Sequence, residues 1–268
     1  MHDLGFFALF LICGLSVFVF RAFIPQELLT MYLVGISIVF LLSAILMRQN
    51  NHRKKYFDVV FAFFIAAFAS VLQQIVVSVG WWSGSTVSDI ATSTVLSTVL
   101  VVIPIIVLTK IAGSNMASIH IAKGRFWLGF AVGLAGYILF FVTSIEGATT
   151  LFAGKNLSLE RVLPWMPWIM TFVLSNGLRE ELWFRGLFLK KFEAFVGSKT
   201  ANLLQALVFS LAHIDVQYTP ELLSFLGITL LLGLAFGFLI QKTRSLLGAI
   251  LFHAGADVPV VIGIFSNL

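Results

Sequence analysis

The chain has 268 residues, 59% of them hydrophobic and 11% charged, with a mean hydropathy of +1.02. Soluble domains carry roughly 25% charged residues, so the composition excludes a soluble fold and points to an all-α, polytopic transmembrane helix bundle. A single cysteine, Cys13, excludes an intrachain disulfide and a cysteine-rich metal site. The formal charge of +5 fits the basic cytoplasmic loops of a membrane protein and calls for no nucleic acid partner.

Apolar runs long enough to approach a bilayer crossing, about 20 residues, fall at 4–20, 27–47, 57–80, 89–109, 126–145, 163–189, 200–214, 220–240 and 246–266. The first and seventh are short, so about eight or nine spans are expected. Residues 4–20 lack a basic leader and a small-residue cleavage site and read as a retained first helix rather than a signal peptide. Polar turns separate the runs, among them "RQNNHRKKYFD" after the second, "WWSGSTVSD" after the third and "KKFEAFVGSK" after the sixth.

With the amino terminus in the cytoplasm, the loops on that side hold twelve basic residues: Arg48, Arg53, Lys54, Lys55, Lys110, Lys123, Arg125, Lys190, Lys191, Lys199, Lys242 and Arg244. The other side holds three, Arg21, Lys155 and Arg161. This asymmetry predicts an integral, multi-pass membrane protein with a cytoplasmic amino terminus. Two small-residue pairs, Gly129/Gly133 and Gly233/Gly237, predict close helix packing within the chain.

Residues 1–160 carry no motif, whereas the helices of residues 161–268 hold ionisable groups within their apolar runs: Arg179, Glu180, Glu181 and Arg185, then His213, then His253 and Asp257. Such groups are costly in a bilayer, roughly 2.5–3.5 kcal/mol each at its centre, and face the bundle interior at functional sites. Counting about 1.5 Å per residue from the basic turns puts Glu180 about 15 Å, His213 about 21 Å, His253 about 12 Å and Asp257 about 18 Å deep. Residues in one layer can meet.

Glu181 and Arg185 are spaced i, i+4 for an ion pair, and Glu180, about 100° around the helix, is expected to point elsewhere as a free carboxylate. Phe209 and His213 share a helix face, as do His253 and Asp257. The remaining histidines, His2, His52 and His120, read as solvated. Two histidines with an unpaired glutamate and an aspartate suit water activation. In a non-catalytic membrane protein, a proton- or ion-coupled transporter or a bacteriocin immunity scaffold, the same residues would form a relay of charges.

"EELWFR" (Glu180, Glu181, Arg185), "FSLAH" (Phe209, His213) and "HAGAD" (His253, Asp257), in that order, resemble the motifs of the CPBP family of intramembrane proteases, which includes the CaaX proteases and the Abi proteins of bacteriocin processing and immunity. The resemblance covers roughly residues 165–260. It implies an intramembrane endopeptidase that cleaves a peptide or lipidated-protein substrate at the lipid bilayer. By resemblance Glu180 and His213 activate water, His253 and Asp257 support the oxyanion or the site, Glu181 and Arg185 complete the catalytic set, and Phe209 contributes to substrate binding. Asp257 stands where other members have asparagine, and an ionised aspartate cannot donate to an oxyanion. No metal is required if Glu180 is the base. A metal-dependent site would hold Zn²⁺ through Glu180, His213, His253 and Asp257, and the spacing leaves both alternatives open.

Overall fold

A computed structural model describes residues 2–78 and 84–268, with side chains from residue 4 onward. The His2 side chain, the end of the 57–80 run and the start of the turn at Trp81 lie outside these residues. Within lipid every backbone N–H and C=O must be bonded internally, and the described residues accordingly contain helices and no strand.

Helices α1 (His2–Phe18), α2 (Gln26–Gln49), α3 (Phe57–Ser78) and α4 (Val87–Ile111) come first, α4 opening on a capping box between Thr86 and Asp89. Then follow α5 (Phe126–Val142), α6 (Ser144–Leu151) and the single turn α7 (Leu159–Val162). The motif-bearing part comprises α8 (Met166–Glu180), a π-helical turn (Glu181–Gly186), α9 (Leu187–Val196), α10 (Ser198–Leu211), α11 (Leu222–Thr243) and α12 (Leu247–Ser266).

Five described helices are long and apolar enough to cross a membrane: α2, α3, α4, α11 and α12. The pair α5 and α6, bent by 64° at Thr143, makes a sixth if it is one span. The chain is thus an integral, multi-pass membrane protein with five or six such spans. The other three apolar runs are helical but short or charged. α1 has 17 residues, α10 has 14, and the 163–189 run divides into α8, the π-turn and α9. The expected loop "KKFEAFVGSK" is also mostly helix. Gly197, at φ +76°, makes the whole turn between α9 and α10 in a left-handed conformation that side-chain-bearing residues rarely adopt.

Motif-free helices pack against the motif-bearing ones. α5 lies along α12, where a side chain on Gly133 would meet the Gly248 carbonyl. Gly237 does the same for α11 against Asn202 and Gln205 of α10, so both small-residue pairs pack within the chain. Phe10, Phe63, Phe188 and Phe192 stack where α1, α3 and α9 meet.

The basic turns gather at one end of the bundle. Arg125 N–H donates to the Thr243 carbonyl, Lys190 to the Ala117 carbonyl, and Leu246 N–H to the His120 carbonyl. His120, expected to be solvated, is 6% exposed instead. Burial, with Lys190 and Lys191 nearby, pushes its pKa down to about 4, so it sits there as the neutral imidazole. His52 is exposed, as expected.

Candidate active site

The end of α8 with its π-turn, the turn after α10 and helix α12 bring the titratable groups together. α10 ends at Leu211, so His213 lies in the turn beyond it and not on the helix face expected to hold it with Phe209. The π-turn at Glu181–Gly186 follows directly on Glu180, and all six of its residues are buried. Such a turn is wider than an α-turn and recurs at functional sites. Here both adjacent carboxylates reach one imidazole. Glu181 Oε1 lies 2.7 Å from His253 Nδ1, and Glu180 Oε2 lies 3.6 Å from His253 Nε2. Glu180 therefore does point away from the Glu181–Arg185 pair, to the other nitrogen of the same ring.

The Glu181–Arg185 pair forms as expected, at 2.7 Å with both side chains fully buried. Its surroundings explain how a guanidinium survives there. The Arg185 Cζ sits 3.9 Å from the Phe209 ring centroid and 5.4 Å from that of Phe236, a cation–π clamp from two helices. A Cβ on Gly233 would come within 3.1 Å of Arg185 Nη2, so the glycine makes room for the fork. Phe236 also stacks on His253 at 5.1 Å. Phe209 touches the cavity, yet its ring is largely covered by Arg185, His213 and His253.

Glu180 is not a wholly free carboxylate. Its Oε1 accepts from Arg179 Nη2 at 3.1 Å, whereas its buried Oε2 accepts no hydrogen bond among the described residues. Arg179 is held in turn by Ser97, at 2.7 Å from Nη1, and by Asn176, and Ser97 also accepts from Gln73. Asn176 donates through Nδ2 to Asp257 Oδ2 at 2.9 Å. Sequence reasoning missed Ser97, Gln73 and Asn176. Asn176 precedes Glu180 by one helical turn and was legible on that ground. Ser97 and Gln73 lie in spans rich in hydroxyls and amides, where nothing in the pattern singles them out.

His213 Nδ1 lies 2.8 Å from the Phe209 carbonyl, which can only accept, so Nδ1 carries the proton and Nε2 faces Glu180 Oε2 at 3.9 Å. Asp257 Oδ1 lies 3.6 Å from His253 Nε2, beyond a direct hydrogen bond. The bond that orients His253 therefore comes from Glu181 and not from Asp257.

These groups open onto a cavity of about 490 Å³, within the range of about 300–1,000 Å³ that ligand sites occupy. Glu180, His213, His253 and Asp257 form its polar floor, with walls from Trp183, Phe184, Phe172 and Phe152 among others. Among the described residues no group of three or more His, Cys, Asp or Glu side chains is arranged to hold a metal ion. The donors named for Zn²⁺ therefore do not fit one as they stand, with Glu180 Oε1 drawn to Arg179 and Asp257 Oδ2 to Asn176.

No curated protein and no solved structure matches the chain. The resemblance drawn from the three motifs is borne out by a family model: residues 162–259, which hold Glu180, Glu181, Arg185, His213, His253 and Asp257, match the type II CAAX prenyl endopeptidase Rce1-like domain, and over that stretch this is the family to which the chain is similar.

Proposed function

We propose that this membrane protein is an intramembrane endopeptidase that hydrolyses a peptide bond of a membrane-associated or lipidated substrate, with water activated by Glu180 and His213. The similarity over residues 162–259 points to a peptide-bond hydrolase, and the family description makes a prenylated carboxy-terminal tail one substrate to test. The observation that carries the reading is Glu180 Oε2, a buried acceptor without a donor among the described residues, facing His213 Nε2 at 3.9 Å and His253 Nε2 at 3.6 Å. Separations of this size suit a bridging water better than direct contact.

A water between Glu180 Oε2 and His213 Nε2 meets two acceptors, donates both protons to them and turns a lone pair toward the cavity. Attack then joins the water oxygen to the scissile carbonyl carbon while one proton moves to Glu180. The oxyanion is within the province of His253, whose Nδ1–H is committed to Glu181 and whose Nε2, when protonated, is free to donate. Collapse breaks the C–N bond, and the proton on Glu180 leaves with the amine. Arg179 orients Glu180 through its bond to Oε1, and Asp257 lies 3.6 Å from His253 Nε2. Purified protein in detergent micelles, incubated with a mixture of apolar peptides and analysed by mass spectrometry, tests the reading. New amino termini are expected with wild type and not with Glu180→Gln, and their absence from both would refute it.

A further inference from the structure

Away from the catalytic floor, several polar side chains line the same cavity without a hydrogen-bond partner among the described residues: the acceptor Asp215, the hydroxyl of Tyr218, and two donors, Arg21 and Gln74. Arg21 lies on the short helical turn Phe20–Phe23 between α1 and α2. Among the described residues no carboxylate comes within 4.0 Å of its guanidinium, and none of its five N–H groups makes a hydrogen bond. Burial pulls its pKa below the ordinary arginine value, Asp215 opposes that shift from a distance, and Arg179 adds to it. Gln74, on α3, is 5% exposed, and its amide likewise makes no hydrogen bond among the described residues, although Gln73 beside it is tied to Ser97.

A guanidinium fork and an amide N–H are donors, and in an apolar setting an unmatched cation gains most from an anion that fills the fork. The same cavity is also lined by Glu180, Asp257 and Asp215, whose charge disfavours a doubly charged phosphate and leaves a singly charged carboxylate as the matching group. We propose that Arg21 and Gln74 form a carboxylate subsite that holds a carboxylate of the peptide substrate and so sets which peptide bond lies over Glu180. The inference rests on the endopeptidase reading for the identity of the ligand. A peptide can supply the carboxylate from its carboxy terminus or from an aspartate or glutamate side chain.

Equilibrium dialysis against the full chain carrying Glu180→Gln, which holds substrate without turnover, tests the subsite. The probes are one labelled apolar tetrapeptide as its free acid, the same peptide as its carboxy-terminal amide, and that amide with one residue replaced by glutamate. A carboxylate-bearing form should bind about tenfold more tightly than the plain amide, as expected for charge-assisted hydrogen bonds. Preference for the free acid identifies the terminal carboxylate, and preference for the glutamate amide identifies a side chain. Adding Arg21→Gln should bring the ratio to about one. Gln74→Leu should lower it at least about threefold, and decides the matter if the arginine variant does not fold. Equal binding of the three probes, no binding of any, or a preference that survives these substitutions overturns the proposal. A carboxylate preference in protein whose wild type cleaves nothing sinks the endopeptidase reading alone, and cleavage without the preference sinks the subsite alone.

Discussion

Glu181 accepts a hydrogen bond from Nδ1 of His253 at 2.7 Å, through the same carboxylate oxygen that takes Arg185 Nη1 at 2.7 Å. One oxygen therefore joins a buried cation to an imidazole on another helix. Glu181→Ala would leave Arg185 buried and unpaired, a loss of about 3–5 kcal/mol. The double variant Glu181→Ala/Arg185→Met removes both charges and should recover much of that stability without recovering activity. Thermal unfolding in detergent micelles checks the first part. A double variant no more stable than the single one would contradict the account of the pair.

Replacing Glu180 by Gln preserves its size and the acceptor that meets Arg179 but removes the base. Peptidase activity should fall at least about a hundredfold, the lower end of general acid–base contributions, with the melting temperature close to wild type. Activity within a few fold of wild type would remove Glu180 as the base.

Ser97 touches no reacting atom in the proposed mechanism, yet it holds the arginine that holds Glu180. Ser97→Ala should lower kcat by about three- to tenfold through loss of one charge-assisted hydrogen bond, leave KM unchanged and shift the acid limb of the kcat pH profile. Ser97→Thr keeps the hydroxyl and should restore both. Equal kcat and pH profiles for wild type and Ser97→Ala would show that Arg179 needs no such support.

Asp257→Asn retains an oxygen to accept from Asn176 and adds an N–H toward His253. Because the side chains here do not form a metal-ion set, the variant should keep substantial activity, and wild type should withstand a strong chelator. Metal analysis and peptidase assay of both samples decide it. Loss of activity in both, restored to wild type by Zn²⁺, would reinstate a metal-dependent mechanism.

We place the basic end of the bundle in the cytoplasm. Single cysteines introduced at residues 48–56 or 241–245 of a Cys13→Ser protein should react with membrane-impermeant thiol reagents only from the cytoplasmic side. Labelling from outside would invert the topology.

Composition and hydropathy were enough to establish an all-helical membrane protein, because a bilayer leaves a chain so poor in charge few other ways to satisfy its backbone. The motif residues were legible for the same reason: a charge in an apolar run is expensive and stands out. The i, i+4 pairing of Glu181 with Arg185 is local geometry and held. What depended on tertiary structure was the partner of each remaining group. Packing against α12 set Glu180 and Glu181 on two nitrogens of one histidine, and Ser97, 82 residues from Arg179 in the chain, became the support of that arginine. His120 looked like a polar residue in a basic loop until the packing of that loop beneath Lys190 buried it. Periodicity fixes the direction of a side chain only relative to its own helix. Which charge it meets depends on helix rotation and contact, and those are settled by close packing between segments distant in sequence, Gly133 against Gly248 and Gly233 against Arg185 among them.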